Sequence, residues 1–147
     1  MNDKELHAKV HSVSYNLMEA TGIVTPVDVL MKIGILSKSD YENWRNGKVP
    51  YLEKVCKINL SKLQKINREI QAFAKKNDLK PSWTFYKQWG KNKKVNKDKA
   101  IQLRFSQNGI ESIEREYATH YISPKKVDEA KMRCLLKKVN KETLIEN

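Results

Sequence analysis

The chain has 147 residues and only two cysteines, Cys56 and Cys134. They lie far apart and match no zinc-type spacing, so neither a structural disulfide nor a zinc site is expected. Both read as small hydrophobes. No apolar run approaches the ~18 residues that a membrane-spanning helix needs. The opening MNDKELHAKVHS lacks the apolar stretch of a secretory signal, and a cytoplasmic location is the matching expectation. Also lacking are a glycine-rich loop to cradle phosphate, a nucleophile elbow and a recognisable setting for paired carboxylates. Nothing therefore compels an enzyme, and no cofactor is expected. No internal repeat is visible, and strand-like alternation is confined to Ile101, Leu103 and Phe105 between Gln102, Arg104 and Ser106.

Positive charge is abundant. Against 17 Asp and Glu stand 29 Lys and Arg, a formal net charge of +12, while 39% of residues are hydrophobic, enough for a core. A field of that sign attracts polyanions, and nucleic acid is the expected partner. A membrane-surface role is disfavoured because the basic runs lack an adjoining exposed apolar face.

Helical punctuation dominates the chain. Leu6, Val10, Val13 and Leu17 fall at helical spacing and predict a first helix over 3–20 that ends near Gly22. Thr25 is placed as an N-cap, with Pro26 at the first helical position and Asp28 three residues after the cap. Gly34 supplies a left-handed stop. Ser37 opens a third helix that runs to Asn46-Gly47, and Pro50 opens a fourth with Leu52, Val55 and Ile58. A fifth, restarting at Asn59 or Ser61, places Leu63, Ile66, Ile70 and Phe73 on one face. After Asn77 the character changes. Pro81 and Ser82 are expected to start a short aromatic helix, SWTFYKQW, stopped by Gly90. KNKKVNKDKA follows as a solvated loop or mobile arm. Asn108-Gly109 turns the chain; Ile110, Ile113 and Tyr117 resume helical spacing, and Ser123-Pro124 caps a last helix bearing Val127, Ala130, Cys134 and Leu135. The expected fold is mainly α, a helical bundle with at most a small β element near 101–106. Composition divides it into residues 1–77 and a basic, aromatic 78–147 that belongs either to the same domain or to a second module.

Within the first part, Gly34, Ser37, Trp44, Asn46-Gly47-Lys48, Pro50 and Leu52-Glu53 follow one another as a pattern. On these residues 25–63 resembles the phage-repressor (Xre/Cro-type) helix-turn-helix, over about a quarter of the chain. It departs from that family in a turn one residue longer, in a Pro50 nearer the glycine, and in Pro26 where glutamine is usual. Apart from the family, Leu30, Ile33, Leu36, Tyr41 and Trp44 can pack the two helices together. Ser37, Lys38, Ser39, Glu42, Asn43 and Arg45 then face outward. The resemblance implies that the helix from Ser37 to Asn46 enters a major groove, where such donors and acceptors meet base edges. Arg45 and Lys48 would hold phosphates, joined by Lys91, Lys93, Lys94 and Lys97 of the lysine run and by the lysines of 125–138. The expected function is a small DNA-binding regulator without enzymatic activity. Double-stranded DNA is favoured over RNA, and a homodimer is compatible with the reading. The alternative is a basic interaction or inhibitor protein that binds an acidic protein or a nucleoprotein.

Three further patterns carry chemistry. Trp83, Phe85, Tyr86 and Trp89 crowd before the lysine run; exposed, they would stack bases of single strands, whereas a helix with Trp83, Tyr86 and Trp89 three apart makes them a core face, the reading preferred here. Arg115 and His120 match the R-x4-H spacing of HEPN-type ribonucleases, in which the histidine serves as acid or base and the arginine stabilises phosphorane charge. That makes a helical ribonuclease the least favoured alternative. His7 and His11 stand four apart on the first helix, the spacing of a metal pair. No third ligand lies nearby in sequence, so the two are read as a surface pair and no metal is expected.

Overall fold

The computed structural model describes residues 2–90 and 101–146, with side chains described through residue 140. The lysine run, with Lys91, Lys93, Lys94 and Lys97, lies outside the described residues. Helix α1 (Asp3–Thr21) begins where the Asn2 side chain accepts the Glu5 N–H at 2.8 Å. It buries Leu6, Val10, Ser14 and Met18, one face at four-residue spacing, and ends at Gly22, whose left-handed φ of 77° lets its N–H reach the Met18 carbonyl. A two-residue strand β1 (Ile23–Val24) leads to α2 (Pro26–Lys32), capped by Thr25 through the Asp28 N–H at 3.0 Å. Ser37 caps α3 (Lys38–Arg45) in the same way through the Asp40 N–H at 3.0 Å. These caps sit where the sequence placed them, because a side-chain oxygen at that position satisfies a helix-end N–H in any tertiary context.

The fourth predicted helix shrinks to one 3-10 turn, Leu52–Val55. The Ile35 carbonyl accepts the Lys57 N–H at 2.9 Å and draws the chain out of helix. Asn59 then caps α4 (Leu60–Lys76), which buries Leu63, Ile66, Ile70 and Phe73 along one face. Beyond it comes β2 (Lys80–Trp83), then α5 (Glu111–Ala118), β3 (Thr119–Ile122) and α6 (Pro124–Glu146).

The strands form one antiparallel sheet in the order β1-β3-β2, with Ile23 opposite Ile122 and Trp83 opposite Thr119. The fold is thus mainly α with a small β element, and the element is assembled largely from segments other than 101–106. The predicted aromatic helix is instead the edge strand β2 and an extended tail. Pairing with β3 overrides the three-residue spacing, and an edge position tolerates Pro81. Residues 101–106 form no strand and contribute a single bridge, Lys87 to Gln102. The carbonyls of Arg104 and Phe105 accept the Leu52 and Glu53 N–H groups and so cap the 3-10 turn. β3 has no counterpart in the sequence reading.

The core joins both compositional halves. Trp44, fully buried, lies 5.1 Å from Phe105 between ring centroids, and Phe105 stacks on Tyr117 at 5.5 Å and 6°. The Trp44 indole N–H donates to the Arg104 carbonyl at 2.8 Å, so this large ring is buried with its one donor satisfied. Of the two thiols, Cys56 is buried as expected, but Cys134 is exposed on α6.

Candidate nucleic-acid interface

Two capped helices separated by a tight turn determine how α3 is presented. Gly34, at φ 85°, and hydrogen bonds from Ile35 and Leu36 to the Leu30 carbonyl reverse the chain. Leu30, Leu36 and Trp44 are buried between the helices, with Ile33 and Tyr41 packed against them. The opposite side is polar. Lys38, Ser39 and Lys48 are exposed, while Ser37, Glu42 and Asn43 are half-buried.

Arg45 departs from the expectation. It does not face outward. Its guanidinium carbon lies 5.1 Å from the Tyr86 ring centroid and 4.9 Å from that of Trp89, and its Nε is buried without a hydrogen-bond partner among the described residues. Its carbonyl accepts the Trp89 N–H at 2.7 Å. Helical rotation explains the difference: Arg45 follows Trp44 on the side of α3 that the 86–89 segment covers, a neighbour that helix periodicity cannot reveal. The cation–π contacts take the place of water around the guanidinium and fix where Trp89 stands.

From Phe85 to Trp89 the chain alternates in exposure, while Trp83 and Thr84 before it are both exposed. Tyr86 and Gln88 turn inward; Trp83 (43%), Phe85 (39%), Lys87 and Trp89 (43%) turn outward. The period is two, so the expected helical core face does not form. Only Tyr86 of that trio packs against the core, where burial raises its phenol pKa. Trp83 and Phe85 meet at 4.2 Å and 55°, and the Arg115 guanidinium caps Trp83 at 4.4 Å. Trp83, Phe85, Gln102, Arg104 and Asn108 line an open cleft of about 560 Å³.

Two half-buried glutamates brace the loop beside that cleft. Glu114 accepts the Phe105 N–H (2.9 Å), the Ser106 N–H (2.8 Å) and the Ser106 hydroxyl (2.8 Å). Glu53 accepts the Gln107 N–H at 2.9 Å and the Tyr117 hydroxyl at 2.7 Å, which raises the Tyr117 pKa beyond what burial alone does. Such anchoring keeps loop 104–109 ordered beside the exposed rings. Neither acceptor role is visible in sequence, where Glu53 belongs only to the helix-turn-helix pattern, because the donors they meet come from other segments of the chain.

The R-x4-H pair is divided between two elements. Arg115, on α5, bonds Glu111 at 2.7 Å and covers Trp83. His120, on β3, is half-buried, and its Nε2 lies 3.2 Å from the Tyr86 hydroxyl. Burial lowers the His120 pKa, with Asp28 opposing weakly. The helix ends at Ala118, between the two residues.

Among the described residues no helix is long and apolar enough to cross a membrane. Comparison with protein-family models, with curated proteins and with solved structures finds no match for this chain.

Proposed function

We propose that the protein binds nucleic acid without catalysing a reaction on it, and that α3 is its duplex-reading element. The observation that carries this reading is the two-sidedness of α3. Trp44 locks one side into the core, while Lys38 and Ser39 stand exposed at the helix start with Asn43 one turn further on. A rigidly seated helix with donors near its N-terminus suits the major groove of DNA. A net charge of +12 supplies the sequence-independent attraction that such binding needs. A binding role also accords with the contacts of Arg115 and His120, each engaged with aromatic side chains.

A second reading rests on the outward row of Trp83, Phe85 and Trp89. Rings at alternate positions of an extended segment, with Lys87 among them, suit stacking of unpaired bases in single-stranded DNA or RNA.

One experiment separates the two. Fluorescence anisotropy is measured with duplex DNA, single-stranded DNA and RNA across a salt series. On the duplex reading, Asn43→Ala costs about 1–3 kcal/mol at its base, and Lys38→Ala lowers the salt slope by about 1. Trp83→Ala and Phe85→Ala then leave duplex affinity unchanged. On the single-strand reading the ring variants lose about 1–3 kcal/mol per stacked base and the α3 variants lose little. Absence of binding to all three polymers would reject both and redirect the search to an acidic protein partner.

A further inference from the structure

The fold completes a constellation that sequence spacing leaves one member short. His7 and His11 stand four residues apart on α1, and α4 brings Glu69 against both. His7 Nδ1 lies 2.6 Å and His11 Nε2 lies 2.8 Å from the same carboxylate oxygen, Glu69 Oε2. The imidazole rings sit 4.2 Å apart at 32°, and the edge of the His11–Phe73 pair closes one side at 5.9 Å. We propose that His7, His11 and Glu69 form a binding site for a divalent transition cation of the zinc type, which cross-links α1 to α4.

The donor set and the spacing both favour it. All three ligand atoms lie within 4.8 Å of one another. Tetrahedral zinc with bonds of about 2.0 Å needs its ligands roughly 3.3 Å apart, a separation that lies between the observed 2.6 Å contact and the 4.8 Å limit, within reach of side-chain rotation. Two imidazoles sharing one carboxylate oxygen is an arrangement in which each ring must place a proton on the nitrogen facing Glu69. A cation replaces both of those hydrogen bonds, and each neutral ring then carries its proton on the other nitrogen. The fourth position is left to water, because a solvent-open hollow of about 270 Å³, lined by Asp3, Leu6, His7, Lys65, Arg68 and Glu69, adjoins two of the three ligands.

The charges around the site set its selectivity. Asp3 is paired with Lys65 at 2.7 Å, and Lys62 also acts on it. Arg68 lies in the same hollow. With these cations close by and one carboxylate among the three ligands, magnesium and calcium find too few oxygen donors. Imidazole nitrogen selects zinc, nickel or copper instead.

The test uses the untagged full chain carrying Cys134→Ser, which removes the exposed thiol as a competing ligand. Zinc chloride is titrated by calorimetry, and cobalt chloride by visible absorption. The expected result is one equivalent of zinc, a rise in the thermal midpoint with excess zinc, and tetrahedral cobalt bands; magnesium chloride produces none of these. His7→Gln, His11→Gln and Glu69→Gln each weaken zinc binding at least about 10-fold. His7→Gln is the safest variant for the fold, because that side chain is 58% exposed, and circular dichroism checks each protein before titration. Absence of stoichiometric zinc binding would overturn the proposal. Binding undiminished in His7→Gln and Glu69→Gln would also overturn it.

Discussion

His120 shows how burial changes a residue that sequence suggested for chemistry. Its imidazole is half-buried between β3 and Tyr86, and the folded pKa lies below the ordinary 6.5. A histidine shifted this way binds fewer protons folded than unfolded, so its contribution to stability is present above the unfolded pKa. That contribution is lost as pH falls through 6.5 toward the folded value. Urea unfolding between pH 7.5 and 5 should therefore show a decline that His120→Asn reduces; an identical decline in the variant would refute the assignment. The thiols differ in the same physical sense. Burial drives the Cys56 pKa up to about 12, with Glu53 and Asp40 adding to it, whereas Cys134 is exposed. Iodoacetamide at pH 8 should label Cys134 under native conditions and reach Cys56 only on unfolding, as read by peptide mass spectrometry. Arg45 is the residue at which sequence reasoning failed most plainly. Helix periodicity places it beside exposed neighbours, but Tyr86 and Trp89 arrive from a segment about forty positions away and enclose it.

Among the elements, helix ends were the most legible. Thr25 and Ser37 cap the helices they were expected to open, Asn59 proves to be the cap of the two offered with Ser61, and Asn2, not singled out in sequence, caps the first; each accepts an N–H three residues on, a local bond between near neighbours. Gly22 and Gly34 both adopt left-handed φ, at 77° and 85°, but only Gly22 is also closely approached. A Cβ there would meet the Val127 backbone nitrogen at 2.4 Å, whereas Gly34 has nothing within 4 Å. Gly34→Ala should thus cost about 1–2 kcal/mol from backbone strain alone. Gly22→Ala should cost distinctly more, because α6 must also move away from α1. Equal losses in chemical denaturation would contradict this distinction. Strands were less legible for the converse reason. β1 and β3 are two and four residues long, too short to display alternation, and β2 forms by pairing with a partner nearly forty positions away.

For the whole molecule, compositional division and physical division differ. The sequence changes character near Asn77, yet β3 of the second half lies between β1 and β2, and Phe105 and Tyr117 complete the packing around Trp44. Residues 1–77 therefore lack part of the core that buries Trp44. Unfolding followed by tryptophan fluorescence and by far-ultraviolet circular dichroism should give coincident, single transitions. Trp44→Phe should lower stability by about 1–3 kcal/mol, because the indole hydrogen bond to the Arg104 carbonyl and part of the buried ring volume are lost together. Separate transitions for the two probes would show that the halves unfold independently. Of the candidate interface, the polar start of α3 was legible because caps and amphipathic spacing are local. The outward aromatic row and the enclosure of Arg45 were not, since a three-residue spacing of rings reads as helix until β3 supplies a pairing partner.

The sequence by itself determined the helical class, the capped helix starts at Thr25 and Ser37, the glycine turns and the positive field, all of which depend on near-neighbour bonds or on summed charge. The tertiary structure alone decided where the sheet forms, which aromatic rings reach solvent and which carboxylate meets His7 and His11. Those outcomes turn on contacts between residues about forty or more positions apart, and such contacts are set by the packing of one helix or strand against another.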